Sequence, residues 1–348
     1  SIDLKRTMAI VVTSLIPALL FGMFNVGIQH YLAQPEFACH TWNTIIPELG
    51  FFTIFIFGFL KVLPLVIVSY IAGLGVEFAF AQFRGHSINE GFLVTGMLIP
   101  LIVPADIPLW MLAIATIFAV IFGKEVFGGT GMNIVNPALL TRAFLFFAYP
   151  SHMSGDNVWI VDKPEAFSGA TPLALATSGE ISSLPSSMDM ILGFIPGSVG
   201  ETSVIAILLG AIILLITGIG SLRIMLSTFA GGFLMAYIFN LAGLNPYMDL
   251  PAYIHLIIGG FAFGAIFMAT DPVTATQTPT GKLIYGFLIG VFAVLIRVVN
   301  PAYPEGMMLA ILFMNVMAPL IDHYVLQSHI KRRLKRANKL RANFVKTN

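Results

Sequence analysis

The sequence predicts an all-α polytopic membrane protein with about ten transmembrane helices, arranged as two inverted five-helix repeats. Hydrophobic residues make up 57% of the chain and charged residues only 10%, and the mean hydropathy is +0.89. Soluble domains contain about 25% charged residues, so a chain this poor in charge is typical of an integral membrane protein. The apolar residues fall into ten segments, and the positive charges concentrate on one side of them.

A helix needs about 20 mostly apolar residues to cross a bilayer. The second apolar segment is long and contains Lys61 and Pro64, and we interpret it as one long or kinked helix. The third and fifth segments are short, and Pro100 breaks the third. The ten segments are residues 7–28, 50–83, 91–103, 107–123, 133–149, 204–219, 223–244, 253–270, 282–299 and 306–326.

The distribution of positive charge orients these helices. An even number of spans places both termini on one side, and the basic C-terminal tail assigns that side to the cytoplasm. Of the 18 Lys and Arg, 14 then lie inside. Outer loops 30–49 and 245–252 contain neither residue type, and loop 149–201 contains only Lys163. The inside residues are Lys5, Arg6, Arg84, Lys124, Arg223, Lys282, Lys331, Arg332, Arg333, Lys335, Arg336, Lys339, Arg341 and Lys346.

This pattern predicts a multi-pass protein of a bacterial inner membrane, with cytoplasmic termini and a periplasmic loop at 149–201. The basic tail is interpreted as a solvated helix end beside anionic lipid headgroups, with no need for a nucleic-acid partner. The predicted units are a first five-helix half at 1–148, the periplasmic loop at 149–201, a second half at 202–326 and the tail at 327–348. Because the chain begins at Ser1 without Met, we expect upstream residues in the full protein.

A weak sequence similarity between the two halves supports the inverted repeat. Gly91-Phe92 opens a segment followed by residues 118–121, and Gly260-Phe261 opens one followed by the similar residues 292–295. Each pair ends in a break rich in Gly and Pro. Inverted repeats with short, broken helices mark binding sites near their pseudo-symmetric centre.

The polar loop carries the first candidate site, Phe167-Ser168-Gly169-Ala170-Thr171. Small residues of this kind ordinarily form a connecting turn. The functional alternative is that Thr171 carries a covalently attached group. The local residues leave both interpretations open.

The second candidate is the glycine-rich stretch at 124–138, with Gly129, Thr130, Asn133 and Asn136. Its glycines expose backbone amides and allow close approach of a ring. The two asparagines lie three residues apart at a helix start, so both amides can face one ligand. The alternative is a glycine turn in which Asn133 is the N-cap.

Ionisable residues at membrane depth form the third candidate set. Glu77, Asp271 and Asp322 are acids within or near apolar segments, with Arg142 and Arg297 as basic counterparts. Intramembrane charge is costly, so such residues are functional candidates by default. Interfacial positions or helix caps are the alternative for Asp271 and Asp322. The seven His show no metal-ligand spacing, and we expect no metal centre. We interpret the single cysteine as structural.

Several motifs together closely resemble one family over essentially the whole chain, the B subunits of the Na+-translocating NADH:quinone oxidoreductases. A looser resemblance exists to the D subunit of the Rnf complex, which shares the fold and flavin motif. The motifs are residues 127–138, 142–150, 168–171, 195–201, 268–273 and 297–306.

The resemblance implies specific site residues. It implies that Thr171 carries FMN through a phosphoester bond, with Ser168, Gly169 and Ala170 completing the attachment motif recognised by a flavin transferase. It implies non-covalent riboflavin at Gly129, Thr130, Asn133 and Asn136, and ubiquinone at Gly73. It implies sodium handling by Glu77, Asp271 and Asp322. The family's Asp-Gly pair upstream of the threonine is Glu165-Ala166 here.

The implied function is a membrane flavoprotein subunit of a Na+-pumping NADH:ubiquinone reductase. It would pass electrons from a partner subunit's flavin through covalent FMN and riboflavin to ubiquinone, coupled to Na+ export. Two alternatives remain at the level of sequence. One is the D subunit of an Rnf-type ferredoxin:NAD+ oxidoreductase, and the other is a solute channel or transporter.

Overall fold

We describe a computed structural model of the 348-residue chain. It describes residues 4–37, 39–85, 91–164, 167, 169–300, 303 and 305–347, with side chains over 5–339 of these ranges. The described residues form helices and loops, with no β-strand among them. The α-helices are α1 Leu4–Ala33, α2 Trp42–Leu49, α3 Phe51–Arg84, α4 Phe92–Leu101, α5 Leu109–Gly123, α6 Pro137–Ala148, α7 Pro172–Ser178, α8 Ser187–Leu192, α9 Val204–Ile216, α10 Leu222–Ala242, α11 Ile254–Ile257, α12 Phe261–Phe263, α13 Pro279–Val299 and α14 Met307–Thr347.

Each of the ten predicted segments contains a helix, and the all-α membrane class is confirmed. Within the described residues, six helical spans are long and apolar enough to cross a membrane: α1, α3, α10, α13, α14, and α5 together with the 3-10 turn that follows it, Leu109–Phe127. Helices α4, α6 and α9 are apolar but shorter. The eighth segment is broken into α11, α12 and a π-helical turn, Gly264–Met268.

The second segment is a single 34-residue helix, α3, which is one of the two forms that the sequence predicts. Pro64 lies inside it without ending it. The charge of Lys61 is met from the loop between the halves, because its Nζ lies 2.6 Å from the Asp162 carboxylate. An apolar helix can therefore carry this lysine near its outer end.

Helix α4 is too short to cross a bilayer, and the loop before α9 closes the break at its end. Leu101 O accepts a hydrogen bond of 2.7 Å from Gly200 N, and Val103 O accepts one of 3.4 Å from Val199 N. A Cβ at Gly200 would lie 2.6 Å from the Leu101 side chain, so only glycine fits here. Irregular backbone at membrane depth is tolerated when it is buried in protein and hydrogen-bonded in this way.

Corresponding helices of the two halves make corresponding contacts. In the first half α3 packs on α5 and α5 on α6, and in the second half α10 packs on α13 and α13 on α14. Glycines allow the close crossings: a Cβ at Gly58 would lie 1.7 Å from Met23 O, and one at Gly290 would lie 2.1 Å from Thr228 O. Small residues serve this purpose in membrane helix pairs. The pairing supports the inverted repeat, which itself stays a prediction.

The loop between the halves is folded and attached to the helical body. Asn25 Nδ2 donates to Ile195 O at 2.9 Å, and Trp42 Nε1 donates to Asp189 Oδ1 at 2.9 Å. His30 Nδ1 lies 2.9 Å from Val161 O. Short helices α7 and α8 lie within the loop, where the sequence indicated only polar turns. The loop is therefore a folded cap on one end of the helical body.

Helix α14 is much longer than its predicted apolar segment. Its 41 residues extend about 60 Å at 1.5 Å per residue, about twice the thickness of a bilayer core. The predicted tail at 327–348 continues this helix through Thr347, and its described basic side chains are exposed.

Candidate functional site

Thr171 is positioned by the start of helix α7. It is the N-cap residue, and its Oγ1 accepts a hydrogen bond of 3.1 Å from Ala174 N. Pro172 follows at the first helical position, where its fixed φ favours the helix and its missing N–H costs nothing. Thr171 is half-buried and lines a cleft that we call the outer cleft. The turn that the sequence predicts therefore contains Thr171, the residue predicted as the attachment site.

The residues before Thr171 fit this turn tightly. Gly169 N donates to Asp156 O at 3.1 Å, and a Cβ at Gly169 would lie 2.9 Å from the Ile160 side chain. Ala170 lies between this glycine and Thr171 and is half-buried. The predicted Ser168, like Glu165 and Ala166, lies outside the described residues.

The outer cleft has apolar walls and a polar floor. The aromatic side chains of Phe146 and Trp159 lie on its walls, and Ser198, Glu201, Thr202 and Glu305 supply polar groups. Aromatic and aliphatic walls with a few placed polar groups are typical of sites that bind small molecules or cofactors.

A buried charge network lies at the cleft floor. Arg142 Nη1 donates to Glu201 Oε1 at 2.7 Å, and its Nη2 donates to Glu305. Ser198 Oγ donates to the second oxygen of Glu201. Burial raises the pKa of Glu305 to about 6, and the nearby Arg142 opposes this shift. The network joins residues 59 and 163 positions apart from Arg142 and ties the two halves together.

Arg297, the second predicted basic residue, has a different environment. It is fully buried, and its guanidinium donates to His255 O at 2.6 Å and to Ile258 O at 3.3 Å. Both carbonyls belong to the C-terminal end of α11, where a helix leaves acceptors unsatisfied. Arg297 therefore stabilises the break in the eighth segment.

The glycine-rich stretch lines a second cavity, which we call the inner cavity. Thr130, Asn133 and Asn136 line it, and Gly129 lies behind them beside the Glu125 carboxylate. The outer cleft is at the N-terminal end of α9 and the inner cavity at its C-terminal end, with Leu214 in its wall. The two sites are therefore at opposite faces of the protein.

The two asparagines have different roles. Asn136, not Asn133, is the N-cap of α6, since its Oδ1 accepts hydrogen bonds of 2.9 Å from Ala138 N and 3.4 Å from Leu139 N. The interpretation of Asn133 as N-cap was therefore wrong. Within the described residues the Asn133 amide has no hydrogen-bond partner, so it is available to a ligand in the cavity.

Two of the three predicted acids meet the inner cavity. Glu77 forms a buried ion pair with Lys124, which lines the cavity. Asp271 lines it directly, while its oxygens accept from Val273 N at 3.2 Å and Thr274 Oγ1 at 2.9 Å. The glycine-rich stretch and two of the predicted acids therefore lie at the same site, the inner cavity.

Asp322 and Gly73 lie apart from both cavities. Asp322 accepts hydrogen bonds from Gln277 N at 2.7 Å and Thr278 Oγ1 at 2.6 Å, so it fastens the loop before α13 to α14. The N-cap of α13 is Thr278, and Asp322 holds that residue from inside α14. Gly73 is buried under the ring of Phe92, where a Cβ would lie 1.8 Å from Cζ. Gly73 therefore allows α4 to pack on α3.

Sequence reasoning did not single out the partners that complete the sites. Lys124 entered as a charge that orients the chain and as the first residue of the glycine-rich stretch, but not as a partner of Glu77. Glu201 and Glu305 entered only within longer motifs, and Thr202 did not enter. Each partner is far along the chain from the residue it serves, and local spacing carries no signal for such pairs. The only available signal was a charged residue beside a glycine- or proline-rich break.

Fold and sites together define a polytopic membrane protein with two largely apolar cavities that carry a few polar groups and lie at opposite ends of α9. A model of the family described as "NQR2, RnfD, RnfE family" matches residues 1–331. The chain therefore belongs to the NQR2, RnfD, RnfE family.

Among similar proteins is the B subunit of the Na(+)-translocating NADH-quinone reductase of Chromohalobacter salexigens. It is 50% identical over 350 residues, which cover 96% of this chain and 85% of the relative. The protein of the same name from Ectopseudomonas mendocina is 51% identical over 353 residues, with 96% and 87% covered. That from Azotobacter vinelandii is 50% identical with the same coverage.

Proposed function

We propose that this chain is the membrane flavoprotein subunit of a Na+-pumping NADH:ubiquinone reductase in a bacterial inner membrane. In this proposal it works within a complex of other subunits, with FMN on Thr171 in the outer cleft and riboflavin in the inner cavity. Electrons pass from a partner subunit's flavin to ubiquinone, coupled to Na+ export. The names of relatives about 50% identical to it support this assignment.

The observation that carries the proposal is the position of Thr171. Its hydroxyl lies at the wall of a cleft lined in part by aromatic side chains, on a folded loop. Its oxygen accepts one hydrogen bond, and within the described residues its own O–H has no acceptor. The hydroxyl is thus held in place while its proton stays free to leave when a flavin transferase forms the phosphoester.

The inner cavity fits a non-covalent flavin by similar criteria. It is a concave site with apolar walls and a few polar groups, as small-molecule sites are, and the Asn133 amide has no partner within the described protein. Gly131 has positive φ and open space where a Cβ would be. Thr130 and Asn133 would hold the polar edge of a ring, while Asn136 fixes the helix start.

The protein's own groups bind, orient and exclude water. The flavins supply the redox chemistry when bound, and the chain sets their surroundings. Phe146 and Trp159 would exclude water from the outer cleft. The Arg142 network would keep its charges fixed, because each charged group already has a partner.

The proposed sodium and quinone residues are those that the resemblance implies, and two of the sodium residues lie at the inner cavity itself. Glu77 and Asp271 at the inner cavity and Asp322 beyond it are the proposed sodium residues, and Gly73 is the proposed quinone residue. Coupling requires that Na+ affinity differ between redox states. Lys124 already neutralises Glu77, so the ammonium group is a natural competitor of Na+ for that carboxylate.

Denaturing electrophoresis of the purified complex tests the proposal. We expect a fluorescent flavin band for this chain that survives denaturation and disappears in Thr171→Ala. Thr177→Ala is the matched control, because Thr177 lies in the same short helix and its hydroxyl donates to Ala174 O at 2.8 Å. A dark wild-type band would refute covalent flavin and favour a solute transporter. Co-purification with a ferredoxin-linked complex would instead favour the Rnf type.

A further inference from the structure

A buried hydroxyl in the outer cleft has no hydrogen-bond partner among the described residues. Thr202 is 4% exposed, and its Oγ1 has no hydrogen-bond partner within the described protein. It precedes helix α9, but Ser203 caps that helix by accepting from Ala206 N at 3.3 Å. Native proteins rarely leave a buried hydroxyl unsatisfied, and each exception needs an explanation.

Thr202 shares the outer cleft with Thr171. The charged groups beside it are engaged: Glu201 accepts from Arg142 and from Ser198, and Arg142 also donates to Glu305. They therefore have little capacity left for a ligand. The Thr202 hydroxyl is a donor among these lining residues that has no acceptor within the described structure.

The side chains of the cleft indicate which kind of ligand the Thr202 hydroxyl contacts. Phe146 and Trp159 suit the flat faces of a heteroaromatic ring, and a ring with carbonyl and nitrogen acceptors at its edge needs a donor. An attachment at Thr171 leaves such a ring to enter the cleft from its rim. A donor on the floor then meets the polar edge of the ring.

We propose that the Thr202 hydroxyl donates a hydrogen bond to the polar edge of the flavin ring tethered at Thr171, as a positioning residue that raises the flavin's reduction potential. The inference rests on the proposed function, because it requires that flavin. A reduced ring carries more electron density at its acceptor atoms, so a donor stabilises the reduced form more than the oxidised form. Isosteric removal of the hydroxyl lowers the potential.

The test uses the purified complex with Thr202→Val, Thr202→Ser and wild type. We expect all three to retain the fluorescent band. Redox titration of the covalent flavin, isolated as the difference from the Thr171→Ala complex, should show about threefold less favourable one-electron reduction in Thr202→Val. At 59 mV per tenfold this is about 30 mV. Thr202→Ser should match wild type.

The control is Thr217→Val, at the opposite end of α9, whose hydroxyl donates to Ile213 O at 2.8 Å. A flavinylated Thr202→Val complex with unchanged potential and absorption spectrum would overturn the inference and leave the proposed function standing. If the wild-type chain shows no fluorescent flavin band, the proposed function itself is refuted, and the inference about Thr202 falls with it.

A second measurement separates a ligand contact from a structural one. In the flavin-free Thr171→Ala background, Thr202→Val should leave the melting temperature unchanged or raise it, because the hydroxyl has no partner there. In the flavinylated protein the same substitution should lower it. Equal destabilisation in both backgrounds would identify a structural role and overturn the inference, even if Thr202→Val assembles poorly.

Discussion

Glu77 and Lys124 form an ion pair that is almost completely buried, with side-chain exposures of 5% and 4%. Two desolvated charges of this kind stabilise each other, and removing one leaves the other uncompensated. A loss of sodium response in a Glu77 variant would therefore be ambiguous, because it could report either a lost ligand or a damaged fold. The structure provides a way to separate them.

We expect Glu77→Leu to lower the free energy of unfolding by about 3–5 kcal/mol, whereas Glu77→Leu combined with Lys124→Met should recover most of it. Thermal unfolding in detergent measures this. The matched pair Lys61–Asp162 is 37% and 53% exposed, so Lys61→Met should cost at most about 1 kcal/mol. If the stable double variant reduces quinone with unchanged Na+ dependence, Glu77 is not a sodium residue.

This ion pair shows which features of the site could be predicted from the sequence and which could not. Glu77 could be recognised as an intramembrane acid because its neighbours are apolar. Lys124 could not be recognised as its partner, because 47 residues separate them and the pairing depends on how α3 packs beside the glycine-rich turn. Likewise Asp322 was predicted as a membrane acid, but its hydrogen bonds to the loop before α13 appear only in the folded chain.

At the scale of the element, the turn between α5 and α6 needs glycines at positions of positive φ and an asparagine that caps the start of α6. Gly128, Gly129 and Gly131 have positive φ values of 120°, 92° and 91°, which side chains rarely tolerate. Asn136 then caps α6, and its own N–H donates to Asn315 Oδ1 at 3.1 Å. The sequence predicted the turn and the helix start, but it indicated the wrong asparagine as cap, because both have the correct residue type.

Substitutions of Asn133 and Asn136 should have different effects on flavin binding and on stability. We expect Asn133→Ala to lose the flavin that acid extraction releases, while the covalent flavin and the melting temperature are retained. Asn136→Ala should lose about 1 kcal/mol of stability as well, because the helix cap is removed. Flavin counting per complex and thermal unfolding make both measurements. Full retention of extractable flavin in Asn133→Ala would remove that residue from the inner site.

At the scale of the whole molecule, hydropathy and charge could predict the class, the ten segments and their order. They could not predict that the loop between the halves is a folded cap, because its contacts, such as Trp42 with Asp189, join distant residues. The two cavities are separated by most of α9, about 18 Å from Thr202 to Leu214 at 1.5 Å per residue. Their opposite placement makes orientation the property on which the functional proposal depends.

The single cysteine offers a direct test of that orientation. Cys39 is exposed and lies between α1 and α2, on the face predicted to be periplasmic. We expect a membrane-impermeant maleimide to label it in intact spheroplasts. A Cys39→Ser chain that carries Ser328→Cys in the exposed end of α14 should be labelled only after the membrane is opened. Because the two thiols lie at opposite ends of the same helical body, the reverse labelling pattern would invert the orientation. Thr171 would then face the cytoplasm, and attachment of flavin from outside would be untenable.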